Sequence, residues 1–392
     1  MSLVIGDSSF SLRTQLGPLF FGNLPLITDN FFSEMIALLG HRDNPTDGVE
    51  DYCRYLSEAL EKDGYQLKLV RVPWAELGWP RALRWLWRES DGQRGQWTLV
   101  QYTALSWSRR GFPLLFLVIL LLLKFRRARL AVVFHDSVAW PGRRFPCLVR
   151  RTCQHLVMRL SAHCADRSIL PVPPDRVAWL PANRAKVAFI PVGANLPTVR
   201  MPTNDCYRRN GVKTIGVFGI TDGGDVSGET AEIAFATKEA SRHVTQLRLV
   251  TMGRGSQRAA AALRQWLKGA SVEFATLGLL SSEEVSQTLA QSDVVLFVRG
   301  GVSSRRASAI AAIACGIPLV AYSGPETGPP VTEAGVVLVP WGDRTELARA
   351  VVRVLTDSQL WEELHRRSLH AQEKYFSWNA IADEFERVLV HG

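Results

Sequence analysis

The sequence predicts an α/β protein made of two Rossmann-like halves that face each other across a cleft. Short apolar runs, several closed by glycine, alternate with helix-period segments along the chain. The alternation breaks at a proline-rich stretch, Pro191 to Pro202, and then starts again. The chain is also large enough for two cores, with 392 residues and 47% hydrophobic content.

Residues 1–33 show no clear period and read as an N-terminal extension. Residues 34–195 form the first half. Its expected strands are Glu34–Gly40, Gln66–Val72, Trp97–Tyr102, Leu130–Phe134, Ser168–Leu170 and Val187–Ile190. Helical spacing marks Val49–Lys62, with Val49, Cys53, Leu56 and Leu60 on one face, and Leu148–Ala162. Residues 196–375 form the second half. Strands are expected at Thr214–Gly219, Leu247–Met252, Val272–Leu277, Val294–Val298, Pro318–Tyr322 and Val336–Val339. Helices between them cover Ala231–Ala240, Ala259–Leu267, Glu283–Gln291, Ala307–Cys315 and Asp343–Leu355. Residues 376–392 form a closing helix. Strands of this kind belong to parallel sheets covered on both faces, and clefts between such halves are where ligands bind.

Charge is uneven. Trp74 to Leu170 holds sixteen bases against five acids, a local excess larger than the +9 of the whole chain. Trp74, Trp79, Trp85, Trp87, Trp97 and Trp107 lie in or beside this region. Arginine with tryptophan suits an anionic membrane surface, and no nucleic-acid module accompanies it. Phe112–Leu123 (FPLLFLVILLLL) is twelve apolar residues with basic flanks. A span needs ~20, so the segment is either a buried crossover helix or one that dips into a single leaflet. The six cysteines contain no CxxC pair, which argues against a zinc site or a disulfide framework. The first residues lack a basic stretch leading into an apolar core. The expected location is cytoplasmic, with peripheral contact on the cytoplasmic face of the membrane as the alternative.

Ser292 to Tyr322 reads as strand, polar loop, small-residue helix and strand. The helix start offers free N–H groups and a positive dipole end, and Arg305 and Arg306 add forked donors. Arg306 and Ser308 are the leading phosphate ligands. His135 ends a buried strand facing the cleft, and Asp47-Gly48 makes a tight turn near it.

The order of short motifs resembles GT-B glycosyltransferases, and is most similar to the retaining family 4. The second half supplies Gly219, Gly253-Arg254-Gly255, Gly278-Leu279, Asp293-Val294 and Ala314-Cys315-Gly316-Ile317-Pro318. The first half supplies Asp47-Gly48, His135-Asp136 and Ile190-Pro191-Val192-Gly193, and Glu373–Leu389 resembles the closing helix. The resemblance spans roughly residues 34 to 390. It implies transfer of a sugar from a nucleotide-diphosphate donor to a glycan or lipid-linked acceptor in envelope or exopolysaccharide synthesis, with retention. It assigns His135, Asp47 and Gly48 to the catalytic side. The donor side comprises Gly219, Thr221, Gly253, Arg254, Gly278, Leu279, Arg305, Arg306 and Ser308. No cofactor is implied, and no Asp-x-Asp is present to hold a metal. Two positions depart from the family: Ser303 and Ala311 stand where two glutamates are usual, the second against the ribose. Ile220–Glu229 also lacks the usual bases against the diphosphate. A non-catalytic relative that binds a nucleotide or glycan is the alternative. A purely structural membrane-associated adaptor is the third reading.

Overall fold

The computed structural model describes residues 33–391 apart from 44–45, 141, 143, 198–210 and 222–226, so the expected extension lies outside the described residues except for Ser33. The first half holds one all-parallel sheet: β1 (Ser33–Leu39), β2 (Tyr65–Arg71), β3 (Trp97–Tyr102), β4 (Arg129–Phe134), β5 (Arg167–Leu170) and β6 (Val187–Phe189). Its order is β2-β1-β3-β4-β5-β6. The second half repeats the plan with β7 (Val212–Phe218), β8 (Gln246–Met252), β9 (Val272–Gly278), β10 (Val294–Phe297), β11 (Leu319–Tyr322) and β12 (Val336–Val339). Its order is β12-β11-β10-β7-β8-β9. Each sheet therefore changes its direction of growth beside its first strand, between β1 and β3 and between β7 and β10. Loops leaving the carboxyl ends there diverge and open a crevice.

Parallel pairing forces a crossover between neighbouring strands, and right-handedness fixes the face each crossover covers. Helix α1 (Gly48–Lys62) covers one face of the first sheet. Asp47 caps it, accepting from the N–H groups of Val49 (3.1 Å) and Glu50 (3.2 Å), and Tyr52, Cys53, Leu56, Ala59 and Leu60 are buried. Helices α2 (Trp74–Leu77), α3 (Trp79–Glu89), α4 (Leu114–Phe125) and α5 (Phe145–Cys164) cover the other face, in a core with Phe116, Ile119, Leu120, Val157 and Met158. In the second half the helices are α6 (Ser227–Ala240), α7 (Ser256–Leu267), α8 (Ser282–Ala290), α9 (Ala307–Ala314), α10 (Arg344–Thr356) and α11 (Ser358–Ala371). Helix α9 is an alanine-isoleucine rod buried from Ala309 to Ala314.

The closing helix α12 (Trp378–Leu389) follows a π-helical turn, Gln372–Phe376, and packs on the first half. Ile381, Ala382, Phe385, Val388 and Leu389 join the core of β1, β3, β4 and α1. Tyr65 donates to Glu386 (2.8 Å), Trp97 to the Leu389 carbonyl (2.7 Å), and Trp378 to the Ala194 carbonyl in the segment after β6 (2.8 Å). Gly193 lets that segment pass: a Cβ there would lie 2.7 Å from the Trp378 ring.

Two elements differ from the sequence reading. The tryptophans are mostly structural. Trp74, Trp97 and Trp107 are buried and Trp79 and Trp85 half-buried, while Trp87 is exposed. The apolar segment is a crossover helix, as one reading had it, but only one stripe is covered. No helix among the described residues is long and apolar enough to cross a membrane.

Phe385 is fully buried beneath the first sheet. Phe385→Ala should cost ~3–5 kcal/mol, read as a lower midpoint in denaturant unfolding. Trp266→Ala, at a half-exposed site on α7, should stay within ~0.5 kcal/mol of the parent.

Candidate active site

The carboxyl ends of both sheets face one crevice, made of two adjoining cavities. The first, about 430 Å³, lies toward the second half and is lined by Phe218, Gly219, Gly253, Leu279, Ala307 and Ser308 among others. The second, about 790 Å³, lies toward the first half and is lined by His41, Asp47, Tyr52, Thr103, His135 and Asp136 among others. Both volumes suit a small molecule. Gly48, Asp43, Asn195, Arg305 and Ala307 line both, so the cavities communicate. Gly253 and Gly255 are required by backbone geometry. Both have positive φ (83° and 76°), and a Cβ on Gly255 would lie 2.3 Å from the Ile220 carbonyl oxygen.

Four arginines border the first cavity: Arg254, Arg299, Arg305 and Arg306. Their partners differ. Arg254 reaches across the crevice to Asp43 (2.9 Å) and to the hydroxyl and carbonyl of Thr46, so it ties the halves together. Arg305 pairs with Glu326 at 2.7 Å, and the other oxygen of Glu326 accepts from Ser137 of the first half. Arg306 precedes α9, is largely buried, and its Nε has no hydrogen-bond partner. Burial, with Arg305 and Arg299 nearby, pulls its pKa down to about 10, so it remains charged at neutral pH. An anion that accepted from Arg306 would remove this strain and meet the N-terminal end of α9 together with Ser308.

His135 follows β4 and is half-buried. Its Nε2 lies 2.8 Å from Gln101 Oε1, while the Gln101 amide nitrogen donates to the Leu99 carbonyl (3.3 Å). With Gln101 Oε1 as acceptor, the neutral ring carries its proton on Nε2. Burial pulls the His135 pKa down to about 4, opposed by Asp47. Tyr52 packs edge-on against the ring at 5.0 Å. Burial pushes Asp136 above the usual carboxylate range, against the Ala104 N–H and the two arginines. The Asp47 carboxylate is fully engaged, capping α1 and pairing with Arg71 (3.1 Å).

The residues expected on the catalytic side, His135, Asp47 and Gly48, thus gather in the second cavity. Gly219, Gly253, Arg254, Leu279, Arg305, Arg306 and Ser308 gather in the first. Gly278 stands behind it, its carbonyl accepting from the Gly253 N–H (2.7 Å). Thr221 is not among the lining residues, and Glu229 holds both its N–H (2.9 Å) and its hydroxyl. Ser303 and Ala311 are buried in the packing around α9, so neither offers a carboxylate to the crevice. Sequence reasoning missed Arg299, Glu326, Asn195 and Tyr52. Arg299 and Glu326 each follow a buried strand by a few residues, and that position was a usable signal. Nothing local marks Tyr52 or Asn195 as lining residues. Among the described residues, no group of three or more His, Cys, Asp or Glu side chains is arranged to hold a metal ion.

Residues 224–357 match the family model Glycosyl transferases group 1. The match lies within the second half of the chain, and the two parallel-sheet halves have the fold of GT-B glycosyltransferases. No curated protein matches the chain in sequence. Among solved structures, HepE of Anabaena, in complex with UDP and glucose, aligns with TM-score 0.63 at 15% identity, over 92% of this chain and 100% of that one. Sucrose-phosphate synthase of Thermosynechococcus elongatus aligns with TM-score 0.62 at 18% identity, over 91% and 98%. S. aureus MnaA, solved with UDP, aligns with TM-score 0.57 at 14% identity, over 92% and 96%.

His135 gives a pH signature. Its folded pKa, about 4, lies below the usual 6.5, so between those values the unfolded chain binds the extra proton. Stability should rise with pH across that window, be complete above about 6.5, and be lost as pH falls toward 4. Urea midpoints across the window should show this rise, with a flatter slope for His135→Gln.

Proposed function

We propose that the protein is a glycosyltransferase that moves a sugar from a nucleoside-diphosphate donor to a glycan or lipid-linked acceptor, with retention, and without a metal, in envelope or exopolysaccharide synthesis. The observation that carries this reading is the arginine cluster at the start of α9. Arg306 is largely buried beside a cavity of about 430 Å³, with an Nε that has no partner. Breaking a glycosidic bond to a diphosphate leaves negative charge on the departing oxygens, and fixed donors aimed there lower the barrier. Arg306, Arg299, the Ser308 hydroxyl and the α9 N-terminal amides supply such donors from the protein. A metal would serve the same purpose, and the arginines are the reason to favour the metal-free route. Retention is the outcome the family resemblance implies.

The donor occupies the first cavity, with its diphosphate on Arg306 and its base beside Leu279. The sugar reaches the junction where Gly48, Asn195 and Ala307 line both cavities. The acceptor enters the larger cavity. A neutral His135 there orients a hydroxyl through Nδ1, because Nε2 is held by Gln101. The non-catalytic alternative rests on one observation: Ala311 is buried in the core, so the ribose lacks the carboxylate usual at that position.

Calorimetry with UDP and UDP-glucose tests donor binding first. Loss of one charge-assisted contact costs ~1.5–3 kcal/mol, so Arg306→Ala should weaken binding by about 10- to 100-fold. Failure of every common nucleotide to bind would remove the reading. Donor binding with no sugar transfer or donor hydrolysis would favour the non-catalytic alternative. In active enzyme, turnover should survive a chelator, and the product anomer should match the donor's.

A further inference from the structure

The outer surface of the α4–α5 layer is unpartnered, apolar and basic. Both helices are crossovers running the same way along the sheet, β3 to β4 and β4 to β5, so they lie side by side on one face. On α4, Phe116, Ile119, Leu120 and Leu123 are buried, while Leu114, Val118, Leu121 and Phe125 form an exposed stripe at helical spacing. On α5, Phe145, Val149, Leu156 and Leu160 form a second exposed stripe. Phe125 and Phe145 are the most exposed, at 77% and 78%. Single exposed leucines need no explanation, but two adjacent stripes along whole helices do.

The charge carried by the two helices themselves has one sign, with Lys124 paired to Asp166 (2.7 Å) and the following Arg126 to Asp91 (3.4 Å). Neither helix contains an acidic residue. Arg151, His155 and Arg159 run along α5 beside the apolar stripe, close enough that the two arginines lower the His155 pKa after burial has done so. Arg126 lies over the exposed Trp87 ring at 4.0 Å, and that ring packs on Phe125 at 5.5 Å. Apolar side chains ringed by arginine, with an aromatic at the margin, match the interfacial zone of an anionic bilayer.

We infer that the α4–α5 face seats this protein on an anionic membrane surface and presents the larger cavity to a lipid-linked acceptor. The acceptor half of this statement rests on the proposed glycosyl transfer; the docking half does not. Both helices start at the carboxyl edge of the sheet, which is the edge where the crevice opens. Leu105, 46% exposed, and Arg109 line the larger cavity and sit just before α4. A headgroup travelling in the bilayer reaches the cavity past these two residues.

Sedimentation with vesicles tests the docking without any donor. The full chain should bind vesicles of phosphatidylcholine mixed with phosphatidylglycerol, and bind phosphatidylcholine alone weakly. Raising salt from about 0.1 M to about 1 M shortens the screening length from ~10 Å to ~3 Å and should weaken binding. The double variant Phe125→Ser/Phe145→Ser should lose about tenfold or more in partitioning. Arg151→Gln/Arg159→Gln should remove the preference for phosphatidylglycerol. Both pairs are surface residues, so circular dichroism and UDP binding should be unchanged. Absence of vesicle binding, or equal binding by the phenylalanine variant, overturns the docking. So does a dimer in sedimentation velocity that dissociates on Phe125→Ser/Phe145→Ser while vesicle binding is absent, since the face then belongs to a second copy. UDP binding measured without vesicles reports the donor site separately, so failure of the docking is distinguishable from failure of the proposed function.

Discussion

The crevice depends on the return of α12 to the first half. Two parallel-sheet halves joined by a single crossing of the chain need a second tie to hold their crevice. Here that tie is made by an amphipathic helix whose apolar face completes the core under β1, β3 and β4. The segment after β6 is itself pinned, by Trp378 on the Ala194 carbonyl and by the Val192 N–H on the Ser304 carbonyl (3.0 Å). Ser304 also donates to the Pro171 carbonyl (2.6 Å). The loop that precedes α9 is thus fixed against the first half at its serine, immediately before the arginines that border the cavity. The packing of the closing helix and the position of Arg305 and Arg306 are thus connected through Ser304.

That connection accounts for a cluster of charge that would otherwise be costly. Arg299, Arg305 and Arg306 repel one another, and the repulsion lowers the Arg306 pKa further. Two carboxylates, Glu326 and Asp136, offset part of this. The remainder is held by a scaffold that cannot relax, since α9 behind it is fully packed with alanine and isoleucine.

Much of this was legible in the sequence. Apolar runs gave the strands because parallel strands are buried on both faces, and their order gave two halves with loops converging on a crevice. The glycines at 219, 253 and 278 marked strand ends that carry positive φ. Helix α3 was not legible: only Ala82 and Leu86 of its face are fully buried, and its tryptophans read as a surface feature. Helix α11 was hidden because only Asp357 separates it from α10, so the two share one continuous period. The site was readable where a side chain lies next to its strand end, as with His135 and Arg306. It was not readable where the partner comes from the other half, as with Glu326 and Ser137, because such pairs are set by how the halves meet.

The Glu326 carboxylate also joins the two halves. It bridges Arg305 of its own half and Ser137 of the other, with its side chain only 11% exposed. A single carboxylate therefore does two things at that corner: it neutralises part of the arginine charge, and it holds the second half to the first.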